Sequence, residues 1–171
     1  MRFISCITLF LATVFAKTYT VDDGFSDVQA LTDHVSRVNS KLDRFNGGLL
    51  QGLDLVNAIH KAHKHAAATR KSFNTLGNLT VDDSDKGISH VQDLIQMMAV
   101  TFETSKAKRD VTHKGAFSYI AQGMALSMYQ EKNRLQEVLR SKAPDEYYQK
   151  CASDLDDLDN SWREYFQGLE D

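Results

Sequence analysis

The chain has 171 residues, with 20 Lys and Arg against 23 Asp and Glu for a formal net charge of −3, and is 42% hydrophobic. This mixed, mildly acidic balance excludes a general nucleic-acid binder, which needs a dominant basic surface. The length suits one domain with a core of its own, and only two cysteines exclude a fold stapled by several disulfides.

Residues 1–16 read as a secretory signal peptide. Arg2 supplies the basic start, Phe3 to Phe15 the apolar run, and Val14-Phe15-Ala16 the residues before a cut after about Ala16. The run is shorter than the ~20 residues that cross a bilayer. No second long apolar run follows, and Gln167-Gly168-Leu169-Glu170-Asp171 forms no hydrophobic tail. The sequence therefore predicts a secreted, extracellular protein with no transmembrane segment and no lipid anchor. Cys6 leaves with the signal, and Cys151 remains on an apolar helix face. It reads as a buried free thiol in a monomer; a disulfide between two chains is the alternative.

Residues 17–25 are expected to be a flexible tail, and residues 26–171 a single helical domain. Ser26-Asp27-Val28-Gln29 has the capping-box pattern of a helix start, followed by Val28, Leu31, Val35, Val38, Leu42 and Phe45 at three- and four-residue spacing. Asn46-Gly47-Gly48 breaks the pattern, and the paired glycines predict left-handed backbone at the reversal. Helix two, about Leu49 to Lys71, carries a broad apolar arc through Leu49, Leu53, Val56, Ile59 and Ala67. The loop after it contains Asn78-Leu79-Thr80, an N-glycosylation sequon.

Helix three follows the acidic Asp82, Asp83 and Asp85 and presents Ile88, Val91, Leu94, Ile95, Met98 and Phe102. Helix four begins near Gly115 and presents Phe117, Ile120, Ala121, Met124, Met128, Leu135, Val138 and Leu139. Pro144 suits the first turn of helix five, which carries Tyr148, Cys151, Leu155, Leu158, Trp162, Phe166 and Leu169. No useful strand-like alternation occurs. The fold class predicted is all-α, a single up-and-down bundle of about five amphipathic helices.

Chemistry is sparse. The sequence has no nucleophile elbow, paired-cysteine zinc pattern, phosphate loop or dinucleotide fingerprint. His60 and His63 are three apart and could meet one metal, but His65 points elsewhere and no zincin glutamate lies between them. Asp82-Asp83-Ser84-Asp85-Lys86-Gly87 puts a lysine where a calcium loop needs a ligand, and Asp154 to Asp159 fall on the outer face of the last helix. No metal, no cofactor and no enzyme activity are expected. Met98, Met124 and Met128 are core residues on the simplest reading, and a lining for chain-like ligands on the sharper one.

Three segments carry a family resemblance: Asp27-Val28-Gln29-Ala30-Leu31-Thr32, Phe45-Asn46-Gly47-Gly48-Leu49-Leu50, and Lys142-Ala143-Pro144 before the last helix. With these the chain resembles the fungal hydrophobic surface binding protein A family, which includes the related cell-wall galactomannoproteins. The resemblance implies a small secreted helical bundle without enzymatic activity. Such proteins adsorb to hydrophobic surfaces, recruit secreted hydrolases there, or hold fatty acids between their helices. This chain is richer in Lys, His and bulky aromatics than the usual members and lacks the Ser/Thr-rich tail of wall-anchored relatives.

On that basis the candidate lipid lining is Leu53, Val56, Ile59, Met98, Phe102, Met124, Met128 and Trp162. The helical projection turns His60 and His63 inward and puts Glu131 in the stripe of Phe117, Met124, Met128 and Leu135, making these three the candidate headgroup contacts. The expected partners are a fatty acid or other apolar ligand, a hydrophobic surface and a secreted hydrolase, with association with a cell wall. The alternative is a secreted interaction module, an effector or adhesin, whose apolar faces are only core.

Overall fold

A computed structural model describes residues 18–112 and 117–167. The signal peptide read at residues 1–16 and Leu169 lie outside these residues. The elements, in order, are α1 (Val21–Asp43), α2 (Leu49–Thr75), α3 (Val81–Ala107), the short α4 (Arg109–Thr112), α5 (Phe117–Lys142) and α6 (Asp145–Gln167). The expected all-α bundle is found, with the one-turn α4 added between the third and fourth long helices.

Two helices start on the same device. Thr20 caps α1 and Thr80 caps α3; in each the threonine hydroxyl accepts from the backbone N–H three residues on, and an aspartate there bonds back to the cap. The first box corrects the boundary expected at Ser26. Helix α1 begins five residues earlier than that serine, at Val21, so residues 21–25 are not a tail. Phe25 is core, and Ser26 is an exposed residue inside the helix. A threonine with an aspartate three residues on satisfies the same orphan N–H groups as Ser26 and Gln29 would.

At the first reversal Gly47 has φ +93°, the left-handed backbone expected there, while Gly48 is extended and caps α2. Pro144 stands immediately before α6, where its carbonyl accepts from the Tyr147 and Tyr148 amides.

Phe25 lies against Gly87, and Gln29 Oε1 is 2.9 Å from His90 Nδ1, so α1 and α3 run side by side in the same direction. Helix α2 returns between them in sequence and packs on α1. Helix α5 runs parallel to α2, joined by Arg70 to Glu131 at 2.5 Å and closed at one end by the Leu79 amide donating to the Lys142 carbonyl. Helix α6 runs along α3, tied by Tyr147 to Asp85 and by Phe102 against Trp162 and Tyr165.

Contacts are uneven around this bundle. Helix α5 leans on α2, whereas the backbones of α5 and α6, though consecutive, stand farther apart and are bridged by long side chains, among them Lys132 to Asp159 and Gln136 to Tyr148. The space left between α5 and the α1–α3–α6 wall is where the site is found.

Candidate functional site

Two adjoining cavities occupy that space. The first, about 100 Å³, is bounded by Phe25, Leu31 and Val35 of α1, Leu94 and Ile95 of α3, Leu135 and Leu139 of α5, and Cys151, Leu155 and Leu158 of α6. The second, about 120 Å³, lies toward the α4 end, among Val38, Leu42, Leu55, Ile59, Phe102, Trp162 and Tyr165. Val35, Met98 and Met128 line both. Two unbranched thioethers at the shared wall are the side chains best able to shift rotamer and change its width.

The seam of α2 explains which residues reach this space. Leu55, Ile59, Ala62, Ala66, Thr69 and Phe73 repeat at strict three- and four-residue spacing, and all but the partly buried Ile59 are buried. Ala62, Ala66 and Thr69 let α1 approach closely. The projected series Leu49, Leu53, Val56, His60, His63 has the same spacing but lies beside this seam. Leu53 is accordingly 55% exposed, with Leu49 at 65% and Leu50 at 81%.

Of the sequence-predicted lining, Ile59, Phe102 and Trp162 line the second cavity, and Met98 and Met128 line both. Leu53, Val56 and Met124 line neither. Trp162 stacks with Phe166 and packs on Phe102, Tyr129 and Tyr165, so the second cavity has an aromatic end. Burial pushes the Tyr165 hydroxyl above its ordinary pKa.

The candidate headgroup residues do not converge. His60 is exposed and His63 half-buried, and neither lines a cavity. Glu131 is buried as its stripe predicts, at 2% exposure, but its carboxylate faces α2, where Arg70 lies at 2.5 Å and Arg134 at 3.5 Å. It is an interhelical ion pair outside both cavities.

Of the polar groups that line the first cavity, Tyr148 stood on the expected face of the last helix, whereas Ser84, Lys132, Gln136 and Tyr147 were not read as lining. Lys132 is 7% exposed. Its ammonium pairs with Asp159 and donates to Gln136 Oε1 at 2.9 Å, and Gln136 Nε2 donates to the Tyr148 hydroxyl at 3.2 Å. The signal for Lys132 was present: it stands four residues after Met128 and three before Leu135, in the same stripe as Glu131. Ser84 Oγ and Trp162 Nε1 are buried and have no hydrogen-bond partner among the described residues.

Cys151, a free thiol at 3% exposure, is in the first-cavity wall, and burial raises its pKa. Tyr147 is held at the far end by Asp85, whose carboxylate accepts its hydroxyl and pushes its pKa up to about 12. Among the described residues no group of three or more His, Cys, Asp or Glu comes together as a metal site. No helix among them is long and apolar enough to cross a membrane. Asn78 is exposed in the turn before α3, and the Thr80 of its sequon is the helix cap.

The same fold is found in solved structures. The crystal structure of Afmp4p in complex with palmitic acid matches with TM-score 0.80 and 14% identity, over 85% of this chain and 96% of that one. Ligand-binding domain 1 of the Penicillium marneffei MP1 protein, complexed with arachidonic acids, matches with TM-score 0.76 and 14% identity, over 85% and 95%. Domain 2 of that protein, complexed with multiple arachidonic acids, matches with TM-score 0.74 and 16% identity, over 81% and 88%. At such identities the likeness concerns the fold. No curated protein matches the sequence. The sequence does match the family described as hydrophobic surface binding protein A over residues 21–141, well over half the chain, and this protein belongs to that family.

Proposed function

We propose that the protein is a secreted, non-enzymatic binding protein that takes the acyl chain of a fatty acid into the space between α5 and the α1–α3–α6 wall. The observation that carries this reading is the pair of apolar cavities that share Val35, Met98 and Met128 in their walls. The three structural neighbours, solved with palmitic or arachidonic acid, support it. Each cavity exceeds several-fold the ~10–15 Å³ that holds one water, and Val35, Met98 and Met128 are common to both walls. A long acyl chain therefore spans both, passing the two methionines, or parts α5 from α6. The driving force is desolvation, about 0.8 kcal/mol per buried CH₂. Residues 1–16 direct secretion on this reading, and Asn78 carries a glycan.

The test is titration of the delipidated protein with palmitic acid, read by native mass spectrometry. One bound acid per chain is expected, weakened by Met128→Trp, which fills the junction. A wild-type protein that stays empty at all concentrations sinks the proposal and favours an interaction module.

A second reading has its own observation. Leu49, Leu50 and Leu53 are exposed together at the start of α2, and this end would be the one that adsorbs to an apolar surface. Leu50→Glu/Leu53→Glu should then reduce adsorption to polystyrene beads while leaving soluble palmitic acid binding intact. Equal adsorption of the variant would remove this end from consideration.

A further inference from the structure

We infer that Lys132, with Tyr148 beside it, is the carboxylate-recognition point of the first cavity, and that Asp159 is an internal competitor for it. This deepens the fatty-acid reading and rests on it. Among the described residues Lys132 is the only cation in the wall of either cavity. A lysine so deeply buried carries a large desolvation penalty, and a surface role would not require it.

The hydrogen-bond inventory leaves capacity for a ligand. A lysine ammonium has three donors. Asp159 and Gln136 Oε1 take two of them, and the Tyr129 ring, its centroid 5.4 Å away, offers the ammonium only a weaker π face. The Tyr148 hydroxyl accepts from Gln136 Nε2, which leaves its own O–H to donate. One ammonium donor and one hydroxyl donor, in a wall whose other polar residues are Ser84, Gln136 and Tyr147, suit a monoanion with a hydrocarbon tail. A lone ammonium without an arginine fork suits a carboxylate better than a dianionic phosphate.

Asp159 differs from Lys132 in one respect that matters. Its side chain is 27% exposed against 5% for the lysine, and Asp159 does not line the cavity. The aspartate can turn to water; the lysine cannot leave. An incoming carboxylate therefore exchanges for Asp159 on the ammonium, and two carboxylates sharing one site repel each other. The Lys132–Asp159 pair is thus a self-neutralised resting state of the binding point.

The exchange predicts effects of opposite sign. Palmitic acid and 1-hexadecanol, which share a tail and differ in headgroup, are titrated into wild type, Lys132→Met, Asp159→Asn and Tyr148→Phe. In Lys132→Met the acid is expected to weaken about ten- to a hundredfold, the range set by losing a charge-assisted hydrogen bond, with the alcohol unchanged. In Asp159→Asn the acid should tighten several-fold, again with the alcohol unchanged. Tyr148→Phe should weaken the acid by a smaller factor and keeps the fold if Lys132→Met does not.

A purely structural ion pair would make the first two variants move acid and alcohol together, in the same direction. That result overturns the inference, as does an unchanged ratio of acid to alcohol affinity in all three. Wild type that binds neither ligand overturns the fatty-acid reading itself, and this inference with it. Wild type that binds both ligands equally leaves that reading standing and removes the carboxylate site.

Discussion

The ring of Phe25 lies on the backbone of Gly87 across the α1–α3 seam, so close that a Cβ built on the glycine would stand inside the ring. Gly87 is here for space, since its φ is not in the left-handed region. The absent side chain lets α3 approach α1 and sets Phe25 edge-on to the fully buried Phe73, with ring centroids 5.7 Å apart. Gly87→Ala must push either the ring or the helix away. Overpacking of this kind costs about 1–3 kcal/mol, which lowers Tm by several degrees in a chain of this size. Thermal unfolding of Gly87→Ala and of Phe25→Leu/Gly87→Ala checks it. The second change should restore part of the loss, and an unshifted single mutant would contradict the packing described.

Arg70 and Glu131 hold α2 to α5. Removing the arginine leaves a carboxylate at 2% exposure with only Arg134, at 3.5 Å, beside it. Arg70→Met should destabilise by about 3 kcal/mol, the low end for breaking a buried pair, because Arg134 remains and Arg70 is itself partly exposed. Arg70→Met/Glu131→Leu should recover most of this loss. Denaturant unfolding of both proteins decides it; a double mutant as weak as the single one would show that the pair is not the cause.

Thr80 caps α3 and completes the sequon of Asn78. Thr80→Ala should cost about 1 kcal/mol, and Asn78→Gln, which touches only the sequon, should cost little in unglycosylated protein. The cap also has a pH signature. The Thr80 hydroxyl and amide both donate to the Asp83 carboxylate and hold its pKa below the ordinary value. The unfolded chain binds that proton more readily, so the contribution is present above about pH 4 and is lost as pH falls through the folded value. The Tm gap between wild type and Thr80→Ala should therefore narrow on acidification from pH 6 to pH 3.

His34 and His65 face each other across α1 and α2, with ring centroids 4.8 Å apart. His65 Nε2 lies 3.2 Å from the Asp27 carbonyl oxygen. Burial first, then the charges of His65 and Arg37, lower the pKa of His34, with Asp33 opposing them. Below about pH 6.5 the unfolded chain takes up this proton before the folded one does. The stabilising effect of a neutral His34 is thus complete above that value and fades as pH falls. Melting at pH 7.5 and 5.5 should show a smaller drop for His34→Gln than for wild type; equal drops would assign the acid sensitivity elsewhere.

The five long helices were legible because apolar residues at three- and four-residue spacing outlast every loop, and Gly47 because a left-handed reversal needs it. Other features were ambiguous in the sequence itself. Thr20 and Ser26 both precede a plausible capping partner, and only the burial of Phe25 decides between them. Helix α2 carries two seams of equal spacing, Leu49-Leu53-Val56-His60-His63 and Leu55-Ile59-Ala62-Ala66-Thr69-Phe73. The larger side chains pointed to the first, and the close approach to α1 through alanines selects the second. Glu131 and Lys132 are neighbours on one broad stripe; which faces α2 and which faces the cavity depends on how α5 leans, and no local pattern encodes that.

The two cavities are chemically labelled by their own walls. Trp162 is the sole tryptophan of the chain and lines only the second cavity; Cys151, the sole cysteine after Cys6, lines only the first. Indole emission and thiol alkylation are therefore separate channels on one unmodified molecule. Followed in time after mixing with a ligand, their order gives the direction of filling. An emission change that precedes thiol protection means entry from the α4 end, where Thr112 borders the second cavity. The reverse order means entry beside Tyr147.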